Sequence, residues 1–156
     1  MFLISESSVT VFAATMYDDW SNNSLIGWNY TTQGGIVYAA QRILNSAGMS
    51  IKVPGFNVSD GYYGTNTYNA IYTYQSDYGL GTDGIIGANT WRSFQNHTYY
   101  TGSTGSIQNY RTQYNISAYA YFQKDYYNGW CIYNPSTDQY YLANGVHYTV
   151  RTYIPL

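Results

Sequence analysis

An eight-residue pattern occurs twice, and it constrains the chain more than anything else in it. Asp60-Gly61-Tyr62-Tyr63-Gly64-Thr65-Asn66-Thr67 is echoed by Asp83-Gly84-Ile85-Ile86-Gly87-Ala88-Asn89-Thr90, 23 residues later (60 to 83). Each copy reads Asp-Gly, two apolar or aromatic residues, Gly, any residue, Asn, Thr. Asp-Gly is a turn signal. The Asp side chain can accept backbone N–H groups within its own turn, and the glycines permit tight or left-handed conformations. A Thr after the second glycine, followed by a helical stripe, makes each box the entrance to a helix.

The stripes around the boxes agree with this. Ile36, Val37, Ala40, Ile43, Leu44 and Ala47 recur at helical spacing. Thr31 or Thr32 is placed to cap this first helix, and Gly48 to end it in the left-handed region. Residues 49–59, with Pro54-Gly55, read as a loop. Thr67, Ala70, Ile71, Tyr74 and Tyr78 form a second stripe. Gly79 then stops the helix, and Leu80 folds back as the hydrophobic contact of a Schellman cap. Thr90, Trp91 and Phe94 give a third, shorter helix. Helices this short hold only when packed on one another.

Outside this block the pattern weakens. Residues 1–15 carry small residues at Val11-Phe12-Ala13 but no basic n-region. Two readings stand open for them: the tail of a secretion signal, and an N-terminal strand. Residues 17–33 read as a linker or a packed arm, and 98–115, with Gly102 and Gly105, as a linker. From Ser117 the period changes to two. Tyr119, Tyr121, Trp130, Ile132, Tyr140, Leu142, Val146, Tyr148 and Val150 alternate as in strands, with turns at 134–138 and at Asn144-Gly145. The expected fold is α+β, with a three-helix bundle followed by a small antiparallel sheet of three or four strands. The expected divisions are an arm or signal remnant at 1–33, a helical module at 34–97, a linker at 98–115 and a β-rich region at 116–156.

Composition narrows the function. Charged residues are 9% of the chain and aromatics 20%, with 22 tyrosines, where ordinary domains carry roughly 25% charged residues. A neutral surface rich in Tyr, Asn, Ser and Thr suits polar uncharged ligands such as glycans, because tyrosine offers a flat apolar face and a hydroxyl. A net charge of −2 with scattered Arg and Lys argues against nucleic acid. No stretch is long and apolar enough to span a membrane.

On these residues, 34–94 resembles the peptidoglycan-binding domain of bacterial and phage cell-wall hydrolases, a three-helix module. The shared pattern runs through Gly34, Val37, Ala40-Gln41 and Leu44. It continues through Asp60-Gly61, Gly64, Thr67, Ala70-Ile71 and Tyr74-Gln75, then Gly79-Leu80, Asp83-Gly84, Gly87, Thr90-Trp91 and Phe94. Ala40 stands where the family prefers Leu, Tyr63 and Tyr74 replace Phe, and Phe94 replaces Leu. The resemblance implies peptidoglycan, as glycan strand or stem peptide, for a partner. It also implies an extracellular or wall location and a hydrolase as the companion or remainder of the protein. No cofactor is implied.

Most of the motif reads as scaffold, with Leu44, Thr67, Ala70, Ile71 and Trp91 as core. The residues whose chemistry suits a glycan or its peptide are Tyr62, Tyr63, Asn66, Asn69, Tyr72, Tyr78, Asn89 and Arg92, the last as a carboxylate partner. Catalysis finds little support. Cys131 sits mid-strand without the helix N-terminus or glycine turn that activates a thiol, and His97 and His147 are the available bases. Glu6 is the lone Glu, short of a glycosidase's paired carboxylates, and the chain lacks metal-ligand spacing. The expectation is non-catalytic wall binding by a secreted protein. A hydrolase or transpeptidase acting through the C-terminal region or another chain, and a structural secreted or phage particle protein, are the alternatives.

Overall fold

The computed structural model describes residues 18–125 and 129–143. The expectations for 1–15, Asn144-Gly145, Val146, His147, Tyr148 and Val150 lie outside the described residues.

The fold is α+β. Four helices, α1 (Gly35–Ser46), α2 (Met49–Lys52), α3 (Thr65–Asp77) and α4 (Ala88–Asn96), precede an antiparallel sheet. Its strands are β1 (Thr98–Thr104), β2 (Ile107–Thr112), β3 (Tyr121–Asp125), β4 (Gly129–Asn134) and β5 (Gln139–Leu142), in the order 1-2-3-4-5. The expected stripes are the buried faces, except at Tyr78, which caps α3 and is exposed. Ile36, Val37, Ala40, Ile43 and Leu44 of α1, Ala70, Ile71 and Tyr74 of α3, and Trp91 and Phe94 of α4 are all at or near zero exposure.

Helix ends follow the glycines. Gly48, at φ 84°, closes α1. After α3, Gly79 takes φ 67°, its N–H reaches the Ser76 carbonyl, and the Leu80 N–H bonds to the Gln75 carbonyl at 2.8 Å. That pair of bonds is the Schellman cap expected at Gly79-Leu80.

Four expectations are corrected. Neither Thr31 nor Thr32 caps α1: Gly34, at φ 107°, stands at the N-cap, without a side-chain bond, and its N–H donates to the Gly61 carbonyl. The 49–59 loop begins with the one-turn α2, so the bundle has four helices rather than three. Residues 98–115 are not a linker, because Thr98–Thr112 is the hairpin β1–β2. This adds strands to those foreseen in the tail and makes the sheet five-stranded.

The arm at 18–33 is packed. Trp20, fully buried in a 3-10 turn, has ring neighbours on both sides: Trp91 at 6.1 Å, and Phe122 and Trp130 each at 5.4 Å. Helices and sheet therefore share one hydrophobic core. Cross-strand partners Tyr110, Phe122, Ile132 and Tyr141 lie on the sheet face turned to it. Tyr141 meets Tyr38 of α1 at 5.8 Å, and Thr112 donates to the Ser46 hydroxyl at 2.8 Å.

Candidate functional site

The two boxes are built alike, each around a buried glutamine from the preceding long helix. Gln41 of α1 accepts the N–H groups of Asp60 (3.0 Å) and Gly61 (2.6 Å) on Oε1. Its Nε2 protons are shared among Asp60 Oδ1, the Tyr62 carbonyl and Thr67 Oγ1, each at 3.0 Å. Gln75 of α3 repeats this on the second box. Oε1 accepts from Asp83 (3.0 Å) and Gly84 (2.9 Å), and Nε2 donates to Asp83 Oδ1, the Ile85 carbonyl and Thr90 Oγ1. Each Asp also accepts the N–H two residues on, from Tyr62 and Ile85. Gly61 and Gly84 both sit at φ 72°. A buried amide with all its polar atoms satisfied fixes a loop without leaving orphaned groups.

The arm completes both boxes. The N–H of Tyr63 bonds to the Thr32 carbonyl at 2.8 Å, while Ile86, at the same place in the second box, exchanges bonds in both directions with Ile26. Tyr63 also donates its hydroxyl to the Gly84 carbonyl at 2.8 Å.

Each clamped box carries a depression at the head of its helix. The first is a groove of about 390 Å³ lined by Tyr62, Tyr63, Thr65 and Asn66 on one side and by the 55–58 loop on the other. The second, of about 190 Å³, is lined at corresponding places by Ile85, Ala88 and Asn89, with Leu80 and Gly81 closing it. The first is larger and has the aromatic lip, with Tyr62 58% exposed. Asn66, exposed in its lining, bridges to the facing loop by donating to the Gly55 carbonyl at 3.0 Å.

The candidate residues thus divide. Tyr62, Tyr63 and Asn66 come together in the first groove and Asn89 lines the second. Tyr63 is buried, and burial pushes its phenol up to about 12, so it stays a neutral donor to Gly84. Tyr78 stacks on Tyr74 at 4.3 Å. Asn89 accepts from Arg92 at 3.4 Å on the exposed face of α4. Asn69, Tyr72 and Arg92 line neither groove. Sequence reasoning missed Trp28, which is 49% exposed, stacks on Tyr68 at 5.1 Å and meets Tyr63 edge-on at 5.3 Å. With Tyr72, which tilts against Tyr68, it makes an aromatic strip running from the first box along α3. The signal was there in Gly27-Trp28-Asn29, inside a segment with no period to draw attention to it.

Residues 33–94 match the family model of the putative peptidoglycan binding domain. That segment is a peptidoglycan-binding-type domain. Its limits enclose Gln41, both boxes, Gln75 and α3 whole, so the clamps are the framework of this domain. A stretch of 34 residues is 53% identical to the N-acetylmuramoyl-L-alanine amidase CwlM of Mycobacterium tuberculosis (strain ATCC 25618 / H37Rv). It covers 22% of this chain and only 8% of the amidase. No solved structure matches the chain.

Beyond the domain, Cys131 is fully buried in β4, opposite Gln123 of β3 and Leu142 of β5. His97 is held by the Ser93 carbonyl at Nδ1 and stacked on Tyr114 at 4.5 Å. Among the described residues no helix is long and apolar enough to cross a membrane, and no three His, Cys, Asp or Glu residues gather as metal ligands would.

Proposed function

We propose that this protein binds peptidoglycan without cleaving it, outside the cell, and that the groove of the first box receives the ligand. One observation carries the reading. Within the domain matched at 33–94, the larger depression is hydrogen-bonding and edged by the exposed Tyr62, and the Asp60 carboxylate in its lining is held by Gln41 and the Tyr62 N–H. A sugar ring can stack on Tyr62 while its hydroxyl and N-acetyl groups meet Thr65, Asn57 and the helix-entry backbone. Trp28, Tyr68 and Tyr72 extend an aromatic surface from the same box.

The test is sedimentation of the whole protein with insoluble peptidoglycan. The wild type pellets with the wall. Tyr62→Ala, which removes an exposed ring and leaves both clamps intact, weakens retention about tenfold. A wild type that stays in the supernatant sinks the reading.

The 34-residue similarity to an amidase supports a second reading, in which the domain delivers a wall hydrolase to its substrate, on this chain or a partner. Release of soluble fragments from purified sacculi by the protein alone would favour it.

A further inference from the structure

A third groove, of about 370 Å³, lies between α1, the 57–59 segment and the β4–β5 turn. Among the described residues its lining includes Tyr38, Arg42, Asn45, Ser59, Asn134 and Ser136, and no carboxylate. Arg42 is its one cation among the described residues. The Arg42 Nε is buried and has no hydrogen-bond partner, and the same is true of Asn45 Oδ1, whose amide nitrogen is already committed to the Ser59 hydroxyl at 2.8 Å. The ion pairs of the described residues are Lys52 with Asp77 and Lys124 with Asp18, neither of them here. Arg42 is close enough to Tyr38 for its charge to oppose the effect of burial on that phenol. A buried polar atom left without a partner is uncommon and costs about 1–3 kcal/mol. Two of them, one donor and one acceptor, in the lining of one groove describe a ligand that brings an acceptor and a donor.

We propose that this groove is an anion subsite, in which Arg42 takes a carboxylate and Asn45 Oδ1 accepts an N–H or O–H of the same ligand. A guanidinium is suited to a carboxylate by its fork of donors. The subsite adjoins the first-box groove, because Asn57 and Val58 line both. One extended ligand can therefore lie across the 57–58 ridge, with a neutral portion beside Tyr62 and an acidic portion at Arg42. This rests on the proposed wall-binding function, and it changes the assignment of the carboxylate partner. Arg92, the candidate from sequence, lies on α4 beside Asn89 and lines neither of these two grooves.

In a wall polymer the carboxylate can come from the acidic sugar or from the peptide, and the probes separate the two. N-acetylmuramic acid and N-acetylglucosamine differ in the lactyl carboxylate, and N-acetyl-alanine supplies a peptide-type carboxylate without a sugar. Titration of the whole protein with each, followed by amide chemical shifts, is the measurement. The wild type binds at least one acid about tenfold more tightly than the neutral sugar, with shifts at Arg42, Asn45 and Ser59. Arg42→Gln abolishes that preference and leaves N-acetylglucosamine unchanged, while Arg42→Lys keeps part of it. A preference for N-acetylmuramic acid alone assigns the sugar as the source, and one for N-acetyl-alanine the peptide.

Equal affinity of the wild type for acids and neutral sugar overturns the subsite, whatever the variants do, so a poorly folded Arg42→Gln does not leave the question open. A preference that survives in Arg42→Gln overturns it too. Sedimentation with insoluble peptidoglycan keeps the two ideas apart. A protein that pellets but ignores the carboxylate refutes the subsite alone, and one that does not pellet refutes wall binding.

Discussion

The Tyr63 hydroxyl donates to the Gly84 carbonyl at 2.8 Å, so the fourth residue of one box is bonded to the second residue of the next. The first Asp-Gly box is thereby tied directly to the second. Tyr63→Phe tests what this tie is worth. The ring stays and keeps its packing, while the buried Gly84 carbonyl loses its donor. A loss of about 1–2 kcal/mol is expected, read as a lower urea midpoint with an unchanged slope. Retention on peptidoglycan stays close to that of the wild type, because the hydroxyl faces protein. A large loss of retention at unchanged stability would return Tyr63 to the ligand.

The glutamine clamps make a stronger demand. Replacing Gln75 by Leu removes five hydrogen bonds and leaves the buried Gly84 N–H without an acceptor. The expected cost is about 2–4 kcal/mol, and Gln41→Leu, with the same five contacts on the first box, costs a similar amount. Thermal unfolding of the two single variants checks both. Unequal losses would show that the boxes share a geometry but not a role.

These clamps also mark where sequence reading stops. The boxes, the stripes and the Gly79-Leu80 cap were legible because each is a local pattern: a turn dipeptide, a 3.6 period, a left-handed glycine. Gln41 and Gln75 stood in the quoted motif, yet their partners lie 19 and 8 residues away, and nothing local says that a helix amide will fold over a later turn. Strand β1 escaped for a different reason. Thr98–Thr104 buries no residue fully, so no alternation of apolar and polar positions is written into it, and it is ordered by pairing with β2. The one-turn α2 is too short for a period. In the site, exposed tyrosines were recognisable by chemistry but not by place. Tyr62 and Asn66 share a groove, whereas Tyr72 and Tyr78 sit on α3 and just beyond its end.

Two glycines with almost the same backbone give a matched comparison. Gly79 and Gly84 lie at φ 67° and 72°. A Cβ on Gly79 meets nothing within 4 Å, while one on Gly84 would stand 2.1 Å from the Tyr68 ring. Gly79→Ala carries only the left-handed penalty, about 1–2 kcal/mol. Gly84→Ala adds a collision with a ring stacked on Trp28, for about 3 kcal/mol or more. It also displaces the aromatic strip, so Trp28 fluorescence shifts in Gly84→Ala and not in Gly79→Ala.

Alkaline pH acts on the core through its phenols. Burial pushes Tyr38, Tyr63 and Tyr74 up to about 12 from 10.0, against the opposing hydrogen bonds of Ser93 and Tyr114 in the case of Tyr74. Burial also holds the Tyr114 phenol well above its ordinary value. In each case the folded protein holds the proton more tightly than the unfolded chain. The stability this represents is fully present below pH 10 and is lost as pH rises through about 12, because the unfolded chain ionises first. Denaturant midpoints should therefore be flat from neutral pH to about 9.5 and fall steeply from about 10 to 12. Absorbance of ionised phenol should rise in two stages, exposed tyrosines first and the buried set together with unfolding. Tyr74→Phe removes one of the responsible groups. It loses stability at pH 7 with its bonds to Ser93 and Tyr114, yet declines less between pH 10 and 12. A variant whose alkaline decline is as steep as the wild type's would assign that decline to other groups than Tyr74.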